Sequence, residues 1–152
     1  MAPLTIDERQ EFLAQPHVAA FSVSAGEDRA PLTVPIWYAY EPGGDPWIIT
    51  GRLSRKGRLL EEHGRFCLMV ESVQPRVRYV SVEGPAERSP LTEAQLRAMT
   101  ERYMPPEAVE GYFAAAWAAR TELDDAVYVL RPQRWLSADL SDHGGTSGHR
   151  EV

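Results

Sequence analysis

From Val18 to Glu83 the strands are joined by turns too short to let them run parallel, except where a helical stretch follows the third. Val18–Ser24 alternates apolar and polar residues and reads as a strand. Ala25-Gly26-Glu27-Asp28 is a turn, and Pro31–Tyr40 is a second strand. Pro35 lies inside it, so that strand belongs at an edge, at a bulge, or with its backbone facing a ligand. Glu41-Pro42-Gly43-Gly44-Asp45-Pro46 turns the chain into a short third strand, Trp47–Thr50. Phe66–Glu71 and Val77–Glu83 follow as strands, joined by Ser72-Val73-Gln74-Pro75-Arg76. Connections this short favour antiparallel pairing, since a parallel crossover needs a dozen or more residues.

Four helical stretches fill the gaps. Thr5-Ile6-Asp7-Glu8 has the pattern of a capping box, with Ile6, Phe12 and Leu13 as the apolar side and Pro16 as the stop. Ser54–His63 has Ser54 to cap it, Leu59 and Leu60 as apolar anchors, and Gly64 where a helix ends. Thr92 and Gln95 cap a third helix that carries Leu96, Met99 and Tyr103. Glu107–Arg120 is a fourth, with Tyr112, Phe113 and Trp117 clustered on it. Ala126–Trp135 reads as the last strand. The expected architecture is α+β, mainly β: a six-stranded split antiparallel barrel over residues 1–140, with 141–152 as a flexible tail.

Composition narrows the function classes. The 152 residues suit one domain, and 43% of them are hydrophobic, enough for a core. A net charge of -6 speaks against nucleic acid held by a broad basic face. The single cysteine, Cys67, excludes an internal disulfide framework; its apolar strand context reads as a buried, inert thiol. No apolar run is long enough to cross a bilayer, and the first residues lack a secretory pattern, so no membrane role and a cytoplasmic location are expected. His17, His63, His143 and His149 show no metal-ligand spacing, and no metal is expected. Glu122, Asp124 and Asp125 read as a solvated turn before the last strand.

Chemistry concentrates in Thr50-Gly51-Arg52-Leu53-Ser54-Arg55-Lys56-Gly57-Arg58. Arg52, Arg55, Lys56 and Arg58 gather four cations within seven residues of an acidic chain, and Lys56 is its only lysine. The stretch runs from a strand end into a helix N-terminus. Cations are misplaced there on dipole grounds, whereas an anion is favoured by free backbone N–H groups. Thr50 and Ser54 add hydroxyls, and arginine grips phosphate with two hydrogen bonds. A phosphate monoester is the natural guest; the competing reading is a solvated basic turn.

Ile48–Gly57 resembles the phosphate-binding segment of the pyridoxamine 5'-phosphate oxidase family, and Tyr79-Val80-Ser81-Val82-Glu83-Gly84-Pro85 resembles that family's later strand. The resemblance implies an FMN-type split barrel, a homodimer, and a small oxidoreductase using FMN or the deazaflavin coenzyme F-420. It implies that Thr50, Ser54, Arg55 and Lys56 hold the cofactor phosphate, with Arg52 beside them. Thr33-Val34-Pro35-Ile36 falls where family members line the flavin ring, and Thr33, Val34 and Pro35 are the candidates there. Trp37 either stacks near the ring or packs in the barrel. Arg134 and Trp135 resemble positions that close over the cofactor from the partner subunit, or else form a strand end packed on the dimer. The implied substrate is small and apolar, conjugated or carbonyl-bearing, with hydride passing to or from it. Vitamin B6 itself is not implied: the second strand has no cation, and the C-terminal basic, histidine-containing motif is missing. The alternative is a carrier that binds a flavin, a tetrapyrrole or a lipid-like ligand without turnover.

Overall fold

A computed structural model describes residues 2–121 and 124–141; most of the expected tail, and Glu122 with it, lies outside the described residues. The elements run in the order α1 (Ile6–Ala14), β1 (Ala19–Val23), β2 (Leu32–Ile36), β3 (Trp47–Gly51), α2 (Arg55–His63), β4 (Arg65–Ser72), β5 (Arg78–Pro90), α3 (Glu93–Tyr103), α4 (Pro106–Ala119), β6 (Asp125–Leu130) and β7 (Arg134–Asp139). The strand order is β2-β1-β4-β5-β6-β3, with β7 also paired to β5, and every pairing is antiparallel. This is the expected α+β split barrel with four helices. Pro35 is accommodated because β2 lies at one end of that order.

β2 ends at Ile36 rather than at Tyr40, and two further differences from the expected strand boundaries are explained by one glycine. Gly84 does not end β5: the strand continues to Pro90, pairing first with β4 and β7 and then with β6. The segment expected as one strand, Ala126–Trp135, is two. β6 stops at Leu130, and Arg131-Pro132-Gln133 steps across Gly84 before β7 begins at Arg134. The step keeps its pairing to β5, with Arg131 N–H donating to the Pro85 carbonyl and Gln133 N–H to that of Glu83, each at 2.9 Å. A Cβ on Gly84 would lie 1.8 Å from the Arg131 carbonyl oxygen, so only glycine admits this crossing.

Alternation places the core. Phe21, Ile48, Val80, Val127 and Leu130 are fully buried, and Tyr38 is buried with them. Its hydroxyl donates to the Leu13 carbonyl at 2.8 Å, and burial pushes the phenol well above its ordinary range. α1 buries Phe12 and Leu13, but Ile6, expected on its apolar side, is 62% exposed. Arg102 of α3 donates to the carbonyls of Leu13, Ala14 and Gln15 at the C-terminal end of α1. These carbonyls have no partner within the helix, and the cation also answers its dipole. Both expected capping boxes, Thr5–Glu8 and Thr92–Gln95, are formed.

Candidate functional site

The basic segment is shaped by its small residues. Ser54 caps α2: its Oγ accepts from Gly57 N–H at 3.1 Å and donates to the Gly51 carbonyl at 2.6 Å. The buried Thr50 hydroxyl lies 3.4 Å from that same Oγ. Glycine is unfavourable inside a helix, yet Gly57 is what brings this helix close. A Cβ there would sit 2.0 Å from the Gly51 carbonyl oxygen and 2.7 Å from Arg52 Cα. The first turn of α2 therefore lies directly on the strand end, and Thr50, Ser54, Arg55 and Lys56 are gathered around one helix N-terminus.

The cations divide into two groups. Arg52 faces Glu61, its Nε 3.9 Å from the carboxylate. Glu61 also accepts from Arg88 at 2.8 Å and from the Tyr128 hydroxyl at 2.9 Å. Burial, and then that bond to Glu61, push the Tyr128 phenol up to about 12. Arg55, Lys56 and Arg58 form no ion pair or hydrogen bond through their side chains among the described residues, and the N–H groups of Arg55 and Lys56 are likewise unused. Lys56 is half-buried; Arg55 and Arg58 are exposed. An anion placed there would meet two backbone donors and up to three cations.

Asp124 was expected in a solvated turn, but it braces the loop. Its Oδ1 accepts from Leu53 N–H at 2.7 Å, and its carbonyl accepts from Arg52 N–H at 2.8 Å. Its other carboxylate oxygen would be 2.7 Å from a Cβ on Gly51. Asp125 opens β6, and its carboxylate accepts from Thr121 N–H. Neither Glu61 nor Asp124 was legible as part of the site. Asp124 lies 71 residues from the amide it holds, and nothing local marks it.

The remaining candidates lie on two surfaces. Thr33 and Pro35 are exposed on β2 and share a face with Ser22 and Ala20, while Val34 turns toward the core cluster. Continuing across the sheet, Ala20 pairs with Met69, Met69 with Ser81, and Ser81 with Leu136, so these side chains form one outer row. Leu136 is 62% exposed and Val18, just before β1, is 55% exposed. Cys67, expected buried, is half-exposed on this outer face, with Sγ 3.3 Å from Ser81 Oγ. Trp37 is not on this face. It stacks on Tyr103 at 4.7 Å and tilts against Tyr112 at 5.9 Å. Arg134 and Trp135 begin β7 rather than end a longer strand. The Arg134 guanidinium is 3.7 Å from Glu83, and Trp135 packs against the core with the Arg9 guanidinium 3.8 Å above its ring. No group of three His, Cys, Asp or Glu side chains among the described residues is arranged to hold a metal. No helix among them is long and apolar enough to cross a membrane.

No curated protein matches the sequence. Solved structures do share the fold. A conserved hypothetical protein from Mycobacterium tuberculosis is 23% identical with a TM-score of 0.69, covering 90% of this chain and 85% of its own. An F420 reductase is 20% identical with a TM-score of 0.65, covering 84% of this chain and 94% of its own. A heme binding protein from Mycobacterium smegmatis is 24% identical with a TM-score of 0.60; the match covers 91% of this chain but 59% of that one. The family model described as Pyridoxamine 5'-phosphate oxidase matches residues 5–137. That span takes in every strand but the last two residues of β7, and the chain belongs to the pyridoxamine 5'-phosphate oxidase family.

Proposed function

We propose that this protein is a cytoplasmic, homodimeric oxidoreductase that binds FMN or the deazaflavin coenzyme F-420 by its phosphate. The reading rests above all on Arg55, Lys56 and Arg58, three cations at the wrong end of a helix dipole whose side chains pair with nothing among the described residues. Family membership and the likeness in fold to an F420 reductase support it. In this reading Arg55, Lys56 and the two unused N–H groups receive the phosphate. Ser54 sets the cap, and the Thr50 hydroxyl backs it. Thr33 and Pro35 lie along the ring, and Trp135 and Arg134 approach from the second subunit. The bound cofactor supplies hydride transfer; the chain orients the ring, anchors its phosphate and excludes water. The outer row from Pro35 to Leu136, with Val18 beside it, is the apolar surface that a second copy would cover.

Titration of the purified protein with FMN and with F-420, followed by fluorescence, tests the reading directly. Lys56→Ala should weaken the preferred cofactor by about 1.5 to 3 kcal/mol, the worth of a hydrogen bond from a charged group. Unchanged affinity removes Lys56 from the site, and absence of binding to either cofactor removes the reading. A carrier without turnover is the second reading, favoured by the likeness in fold to a heme binding protein. An enzyme bleaches and regains ring absorbance when given a donor and an acceptor; a carrier only binds.

A further inference from the structure

β2 and β3 are the two ends of the strand order, so the barrel is split between them. Among the described residues one bridge joins the segment after β2 to β3: Ala39 and Trp47 exchange hydrogen bonds of 2.9 and 3.0 Å. Beyond that bridge, near Trp37 and Ile49, the strands are not paired, and α3 and α4 cover the gap. Their side chains do not fill it. A cavity of about 180 Å3 remains, walled by Ile36 and Trp37, Ile49, Leu96 and Met99, with Tyr112 beside them.

The side chains lining this cavity are mostly apolar. Thr100 also lines it, but its hydroxyl already donates to the Leu96 carbonyl at 2.8 Å. No charged side chain contributes to the wall. An ion entering would lose its hydration without receiving a partner, which is costly. Apolar cavities of ~150 Å3 can take up a ring the size of benzene. The size also limits the guest: whole drug-sized ligands occupy roughly 300 to 1,000 Å3, so this cavity suits one substituted ring. Trp37, held flat against Tyr103, offers a rigid face to such a ring.

We propose that the cavity in the split is the binding site for a small, flat, uncharged apolar group, the end of the substrate that this protein recognises. Its place supports the assignment. Ile36 and Trp37 directly follow Thr33-Val34-Pro35, and Ile49 directly precedes Thr50. The cavity is thus bordered by residues next in sequence to the two segments named for the ring and for the phosphate, on the opposite face of each strand. Giving the bound group to a substrate rests on the oxidoreductase reading; the cavity's affinity for such a group does not.

The test uses the protein without added cofactor, with toluene as probe and NMR of isotope-labelled protein as readout. Toluene should shift the methyl signals of Ile36, Ile49, Leu96 and Met99 and the Trp37 indole N–H, saturably and together. Benzoate and benzylammonium, which carry the same ring with a charge, should bind at least tenfold more weakly. Leu96→Phe, which fills the space, should lower toluene affinity at least tenfold while thermal unfolding confirms a folded chain. Should that variant not fold, the comparison of charged and uncharged rings in the unaltered protein decides. Shifts scattered over the surface, or equal binding of the charged rings, would overturn the proposal. Intact toluene binding in a protein that takes neither FMN nor F-420 would keep the site and remove its assignment to a redox substrate.

Discussion

Gly57→Ala and Gly111→Ala are the same substitution in two helix interiors, and the structure gives them opposite signs. Alanine is preferred to glycine in a helix by about 1 kcal/mol, so propensity alone predicts that both stabilise. Gly111 lies in α4 with no atom within 4 Å of where its Cβ would stand, and the full gain of about 1 kcal/mol is expected there. At Gly57 the new methyl would stand 2.0 Å from the Gly51 carbonyl oxygen and under 3 Å from the Arg52 backbone. An ordinary contact needs about 3.4 Å or more, so α2 or the strand end must move by more than 1 Å. Both contacts are backbone, and no rotamer change relieves them. Overpacking of this kind costs roughly 1 to 3 kcal/mol and occasionally more. With the propensity gain set against the upper part of that range, Gly57→Ala should destabilise by about 2 kcal/mol. It should also weaken FMN or F-420 binding, because the displaced turn carries Arg55 and Lys56. Urea unfolding of the three proteins, followed by circular dichroism, measures both signs. A Gly57→Ala protein as stable as the parent would refute the claim that the helix is pressed on the strand end, and the gathered site with it.

Other consequences are open to the same instruments. Gly84→Ala should cost about 3 kcal/mol, since its Cβ would stand 1.8 Å from the Arg131 carbonyl oxygen, and thermal unfolding reads the loss. His17 stacks on Phe12, and burial, then the nearby Arg102 cation, lower its pKa from 6.5. The folded state thus favours the neutral ring, and stability should be full above pH 6.5 and decline as pH falls below it. His17→Gln should flatten that decline between pH 7 and 5; an unaltered slope would show that another group causes it. Asp139 is held down to about 2, first by Ser141 N–H and also by Arg78 and Arg76. Its contribution is present above pH 3.8 and lost as pH falls toward 2, so Asp139→Asn should lower the melting temperature at pH 7 and remove that acid-side decline.

What the sequence showed plainly was local. Thr5–Glu8, Thr92–Gln95 and Ser54 signal helix starts because a cap needs only its own first turn, and all three form. The β-turns and the edge position of Pro35 follow from equally short-range chemistry. The errors come from contacts distant along the chain. Gly84-Pro85 has the composition of a strand end, and only the crossing of Arg131 over Gly84 shows why the strand continues. Asp124 looks like one acid in a polar turn until β6 pairs with β3 and delivers it to Leu53. Cys67 is surrounded by apolar neighbours in sequence, but alternation turns it to the outer face.

The basic loop also shows how the chain tolerates its own site. Four cations at a helix N-terminus repel one another and oppose the dipole, each at a cost of a few tenths of a kcal/mol when exposed. The fold relieves only part of this. Glu61 stands near Arg52, but it also serves Arg88 and Tyr128, and it makes no ion pair or hydrogen bond with Arg55, Lys56 or Arg58. Asp124 spends its carboxylate on a neutral amide and pairs with no cation among the described residues. Two acids are thus close enough to define the loop, yet neither pairs with Arg55, Lys56 or Arg58. Had either paired with Lys56, the loop would be more stable and a phosphate would have to displace a carboxylate to enter. Leaving the three cations unmatched keeps the loop open to an incoming anion. The free energy that such an anion recovers is then available for binding rather than already used in folding.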